Sequence, residues 1–239
     1  MNTLELAGPF AMDKSQSAAQ QIYHYLRSAI VRLTFKPGMS LDRAQLASYF
    51  GVSVTPVRDA LLKLRDDELV DIFPQHGTRV RAVDLESARN VHFLRLSLEL
   101  EIARMLAGRR DAALVQALRD LVGRQRACLE CDDMDAFAQA DQGFHERMYI
   151  AAGAEQLWRL MRGKSGNMDR LRRLHLLVNG KAESVLDDHA AIVAAIAAGS
   201  PDLAETAVRE HLGDSLSQLM SLRERYPDYL VGHAEAGAA

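Results

Sequence analysis

A helical pattern that stops at a glycine and restarts within three residues constrains this chain more than any other feature. Asp42 suits the N-cap of a short helix, with Ala44, Leu46, Ala47 and Phe50 toward its inner face. Gly51-Val52-Ser53 is a tight turn. The next helix takes Ser53 or Thr55 as cap and Pro56 in its first turn, where a missing N–H costs little. Val57, Leu61 and Leu64 point inward, leaving Thr55, Arg58, Asp59, Leu62 and Lys63 to the outer side. Upstream, Ile22, Tyr25, Leu26, Ala29, Ile30 and Leu33 recur at helical spacing until Lys36-Pro37-Gly38 stops the run. Helix, short glycine turn, helix is the helix-turn-helix layout, whose second helix enters the DNA major groove.

Two short strands follow, Leu69–Phe73 and Thr78–Arg81, joined by Pro74-Gln75-His76-Gly77. They predict a β-hairpin wing with Arg79 and Arg81 beside it. Residues 20–81 carry nine basic and six acidic side chains, whereas residues 82–239 carry 19 basic and 24 acidic ones. The net charge of −3 excludes a chain that coats nucleic acid by charge alone, so contact with a polyanion is expected of the first part only.

The stretch LTFKPGMSLDRAQLASYFGVSVTPVRDALLKLRDDELVDIFPQHGTRV, residues 33–80, resembles the winged helix of the GntR family of bacterial transcription regulators. The matching pieces are KPG, LASYFGVS, TPVRDAL, and LV with HGTRV. The resemblance implies that Thr55 and Arg58 touch DNA from the recognition helix and that the His76-Gly77 wing tip reaches the minor groove. Arg43, Ser53 and Arg79 complete the expected DNA-binding set. Val54 stands where many members of the family have an arginine, so one common contact is missing and the operator need not match the usual consensus.

Beyond residue 84 the texture changes to long Ala/Leu-rich helices with short breaks. Val91, Leu94, Leu98, Ile102 and Met105 predict one apolar stripe, with Arg95 on its edge four residues before Glu99. Spacing alone favours an Arg95–Glu99 helical pair over a guanidinium facing a ligand carboxylate. Three later faces are more informative. Phe137, Asp141, Phe144, His145 and Met148 share one. Val185, His189, Ile192, Val193 and Ile196 share the second, and Ala204, Ala207, Val208, His211, Ser215 and Leu219 the third. Titratable groups on apolar faces are costly to bury unpartnered. One carboxylate and three imidazoles make a good set for a divalent transition metal, with positions left open for water or a ligand. Cys128 and Cys131 supply only half a structural zinc site, and the Arg170, Arg172, Arg173 run reads as a solvated face, with one of the three a candidate for the cavity mouth.

ADQGFHERM, DDHAAIVAAIAAG and AVREHL within residues 84–225 resemble the ligand-binding FCD domain of the FadR-like branch of the same family. The resemblance implies an all-helical bundle with a central cavity. It also implies Asp141, His145, His189 and His211 as metal ligands, and it strengthens Arg95 as an effector contact. The expected fold is mostly α: a loose arm at 1–15, a winged helix-turn-helix at 16–82, a helical effector and dimerisation domain at 84–226, and a loose tail at 227–239. The expected function is a DNA-binding regulator, not an enzyme, that senses a small carboxylate through a metal-containing cavity. Zn²⁺ is the first candidate ion and Ni²⁺ the second. The expected partners are operator double-stranded DNA, a small carboxylate effector and a second copy of the chain. A direct metal sensor is the alternative, and a metal-dependent hydrolase a weaker one. No basic segment precedes an apolar core at the N-terminus, and Ala190–Gly199 is too short to span a bilayer, so a cytoplasmic location without membrane contact is expected.

Overall fold

In the computed structural model Asp42 accepts a hydrogen bond from Gln45 N at 2.8 Å, and so caps the helix that the glycine terminates. Residues 10–232 are described apart from Gln75, residues 177–179 and Gln218; the side chains of residues 214–221, Ser215 and Leu219 among them, lie outside the description. The first core is built from α1 (Ala18–Val31), β1 (Ser40–Leu41), α2 (Arg43–Phe50), α3 (Val54–Asp66), β2 (Val70–Phe73) and β3 (Gly77–Val80). Gly51 supplies the left-handed turn between α2 and α3 with φ +63°. The three strands form one antiparallel sheet in the order β1-β3-β2, with Ser40 opposite Arg79 and Val70 opposite Val80. Ala44, expected to face inward, is exposed, because Leu46, Ala47 and Phe50 already fill that side of α2.

The chain crosses through β4 (Val83–Asp84) into a helical half. Its elements are α4 (Leu85–Arg109), α5 (Ala112–Glu130), α6 (Met134–Ala152), α7 (Glu155–Lys164), α8 (Gly166–Leu176), α9 (Lys181–Ala198), α10 (Pro201–Ser217) and α11 (Leu219–Arg225). Asp84, Asp111 and Asp133 cap α4, α5 and α6 through backbone N–H groups. A second core runs from Val83 to Leu230 and includes Phe137, Phe144, Tyr149 and Ile192. Among the described residues no helix is long and apolar enough to cross a membrane.

Three expectations need correction. The tail is not loose over its described part: β5 (Leu230–Val231) pairs in parallel with β4, because Tyr229 O accepts from Val83 N and Leu230 is buried in the helical core. The arm is likewise packed from Phe10 onward. The Phe10 ring meets Tyr25 and Phe50 edge-on, and Asp13 binds Ser15, Gln16 and Gln21. Residues 1–9 and 233–239, the rest of both segments, lie outside the described residues. Finally, the α4 stripe is rotated from its predicted position. Leu94 and Met105 are exposed, and the buried face carries His92, Arg95 and Glu99 between Val91 and Ile102.

The two cores are joined along a polar seam. Arg170, fully buried on α8, donates to Arg81 O at 2.5 Å and to Asn167 Oδ1 at 2.7 Å. Asn167 Oδ1 also accepts from Asp84 N at 3.0 Å. Gly166 sits where an added Cβ would lie 2.7 Å from Leu69 Cδ2, so any other residue there would force the Leu69 side chain to shift.

Candidate functional site

The bundle brings together all three histidines that the helical faces singled out. His145 comes from α6, His189 from α9 and His211 from α10, and each is buried. His211 Nε2 lies 3.3 Å from both His145 Nε2 and His189 Nε2. The opposite ring nitrogens are held by acceptors from three further places. Glu99 Oε2 is 2.8 Å from His145 Nδ1, Gln125 Oε1 is 2.7 Å from His189 Nδ1, and Asp188 Oδ2 is 3.3 Å from His211 Nδ1. Gln125 and Asp188 assign the protons of His189 and His211 to Nδ1, whereas Glu99 Oε2 approaches His145 Nδ1 without hydrogen-bond geometry. The Nε2 atoms of all three rings converge, and those of His189 and His211, with their protons on Nδ1, turn lone pairs toward each other, which a cation between them would relieve.

Burial and neighbouring charge keep the imidazoles neutral, as metal ligation requires. Burial, then Arg95, pushes His145 well below the ordinary imidazole value; burial, then His211, does the same to His189. His211 is taken down to about 3 by burial and then Arg95. The Phe144 ring stacks on His189 at 4.1 Å and closes one side of the cluster. Donor chemistry and spacing fit a late divalent ion: nitrogens about 2.0–2.1 Å from a shared tetrahedral centre stand roughly 3.3–3.4 Å apart.

Asp141 is placed beside this cluster, with Oδ1 3.7 Å from His189 Nε2. Both its oxygens accept from Arg172 Nη2, at 2.9 and 2.8 Å. Burial alone would raise the carboxyl pKa, but the charge of Arg172 beside it holds it well below the usual carboxylate range. Arg95 bonds Glu99 through Nε at 2.7 Å, as the spacing predicted, yet its buried Nη2 has no hydrogen-bond partner. It lines an interior cavity of about 10 Å³ with His145, Gln142 and Arg172, room for about one water. Sequence reading missed Glu99 and Gln125 as parts of this site and did not single out Arg172 from its run of arginines. The one available clue for Glu99 and Arg172 was a charge at an otherwise core-facing register.

The DNA-binding candidates sit on the first core. Ser53 is the N-cap residue of α3, and Thr55 and Arg58, three apart, are exposed on the face opposite Val57, Leu61 and Leu64. Arg79 alternates with buried Thr78 and Val80 and so points outward, while His76 and Gly77 are exposed at the hairpin end. Arg43 opens α2 and is half-buried. Val54, first in α3, is 48% exposed.

Comparison with known proteins agrees with both halves. The model of the bacterial regulatory proteins of the gntR family matches residues 18–80, and that of the FCD domain matches residues 90–214. An uncharacterized HTH-type transcriptional regulator in an unstable DNA locus of Streptomyces ambofaciens is 33% identical over 94% of each chain. The HTH-type transcriptional repressor RspR of Escherichia coli K12 is 28% identical over 91% of this chain and 96% of its own. The solved structure of E. coli McbR/YncC has a TM-score of 0.72 at 20% identity, covering 88% of this chain and 99% of that one, which shows a shared fold. The chain belongs to the GntR family of DNA-binding transcription regulators and joins that family's helix-turn-helix to an FCD domain.

Proposed function

We propose that this regulator holds a divalent transition metal on His145, His189 and His211, with Asp141 as the adjoining carboxylate, and reads a small carboxylate effector there. The convergence of the three buried Nε2 atoms is the observation that supports this reading. When bound, the ion would supply a Lewis-acidic position for a carboxylate oxygen. Arg95, whose buried Nη2 has no hydrogen-bond partner, lines the adjoining cavity and suits the remaining negative charge. An effector carboxylate competes with Asp141 for Arg172, which links effector binding to the helix that carries His145.

DNA reading falls to Thr55, Arg58 and Ser53 of the recognition helix, to Arg43, and to Arg79 and the His76-Gly77 tip of the wing. Arg58→Ala should weaken operator binding by about 1–3 kcal/mol if the guanidinium meets a base edge, and by less, with a shallower salt slope, at a phosphate. Gel shifts on a selected operator measure this. Run with ion-loaded and chelated protein, with and without succinate, they also test the effector reading. Succinate should change operator affinity only in the loaded state. Wild-type affinity in Arg58→Ala removes that residue from the interface, and an equal succinate response after chelation removes the ion from sensing.

The regulator acts as a homodimer on a two-fold operator, since one winged helix reads few base pairs and symmetric pairs are the default. Exposed Phe93, Leu94 and Met105 on α4 support a contact in the helical half. Light scattering at micromolar concentration should give twice the 26.5 kDa chain mass. The mass of a single chain, with one protein per operator, contradicts the dimer.

A further inference from the structure

A cavity of about 200 Å³ opens along the seam between α1 of the winged helix and the α6, α7 and α8 face of the bundle. It is far roomier than the one-water space beside Arg95. Its lining is unusually cationic. Asp169 is shared by Arg162, at 2.7 Å, and by Arg27 of α1, at 3.7 Å. Asp135 is shared in the same way by Arg173, at 2.6 Å, and by Arg32, the residue that ends α1, at 3.5 Å. Arg172 holds Asp141 at the cavity's inner end. Five guanidiniums therefore face three carboxylates, an excess of two positive charges in a half-buried cleft.

We propose that this seam is a second binding site, specific for a small dianion that bridges α1 and α8. Carboxylate and phosphate oxygens both match paired guanidiniums, so the ligand class is a dicarboxylate or a phosphomonoester. The site adjoins the metal centre, sharing Asp141 and Arg172 with it at the inner end, but extends away from the histidines to its outer arginines, Arg27 and Arg32, which belong to the DNA-reading half. A bound dianion supplies the charge that Asp135 and Asp169 leave unmatched, and so ties the winged helix to the bundle in the arrangement seen. The spacing of the two reading helices in a dimer depends on that arrangement.

Calorimetry on the full chain tests this, with succinate and inorganic phosphate as separate probes and acetate as the monoanion. At least one dianion should bind more tightly than acetate, and which one identifies the class. Binding should survive removal of metal by a chelator. Arg32→Glu, at a side chain 45% exposed and therefore tolerant of change, should weaken it at least about tenfold, while Arg32→Lys stays within a few-fold of wild type. Hydrogen exchange within Ala18–Val31 should slow when the probe binds. The proposal is overturned if neither dianion binds at millimolar concentration, or if Arg32→Glu binds like wild type. Binding that disappears on chelation also overturns it, because the ligand then sits on the ion.

Discussion

Purified without chelator, the wild-type chain should carry about one divalent transition ion, and His189→Ala should carry almost none. The reason is local. Glu99, Gln125 and Asp188 occupy the Nδ1 side of the three rings, which turns the Nε2 edges inward, with His211 Nε2 3.3 Å from those of His145 and His189. An ion that binds the folded chain alone adds about 2.7 kcal/mol at a hundredfold excess over its dissociation constant. For a chain of this size that raises Tm by roughly 5–10 °C. The ion-free melts of His189→Ala and wild type are a poor comparison, because the substitution also breaks the stack on Phe144 and strands Gln125. The informative readout is the rise in Tm when ion is added back to each chelated protein. Zn²⁺ or Ni²⁺ should raise wild type and leave His189→Ala unchanged, and Mg²⁺, which wants oxygen ligands, should do nothing. An equal rise in both proteins, or none in wild type, would falsify the metal assignment and leave the three histidines as an internal polar network.

The histidine faces were legible in the sequence because α6, α9 and α10 each keep a regular apolar period, which a histidine breaks, joined on α6 by Asp141. The winged helix was legible for a different reason. Gly51, the Asp42 cap and Pro56 are local devices that act within a few residues. What was not legible depends on the encounter of distant segments. On α4 the apolar stripe suggested one buried face. Burying Glu99 against His145 and Arg95 turned the helix, and Leu94 and Met105 went to the outside. The Arg170-Leu171-Arg172-Arg173 run read as solvated because isolated arginines are costly to bury. Each instead finds an oxygen from another element: Arg81 O for Arg170, Asp141 for Arg172 and Asp135 for Arg173. No periodicity within α8 could have named those acceptors.

That burial makes Arg170 the side chain whose loss should matter most to the joint between the two cores. Its guanidinium is fully buried, and its pKa is lowered to about 10 by burial and then by Arg81. It spans from Asn167 on its own helix to the carbonyls of Arg81 and Ala82 in the connection between the winged helix and α4. Arg170→Ala would empty that volume and leave two carbonyl oxygens without donors in a space the side chain had kept dry. Lost packing and unsatisfied acceptors together should cost about 3–5 kcal/mol, lessened by release from burying a charge. The loss falls on the joint rather than on either core, so the expected signature is more than a lower midpoint. Urea unfolding of wild type should be one transition. In Arg170→Ala it should begin earlier and separate into two steps, the winged helix and the bundle melting independently. Arg170→Met restores most of the volume without the hydrogen bonds, and its melt should fall between the two. If Arg170→Ala unfolds in a single step at the wild-type midpoint, the bonds to Arg81 and Ala82 contribute nothing to the coupling of the two halves, and the joint must rest on Asn167, on the close packing of Gly166 against Leu69, and on the ion pairs of the seam.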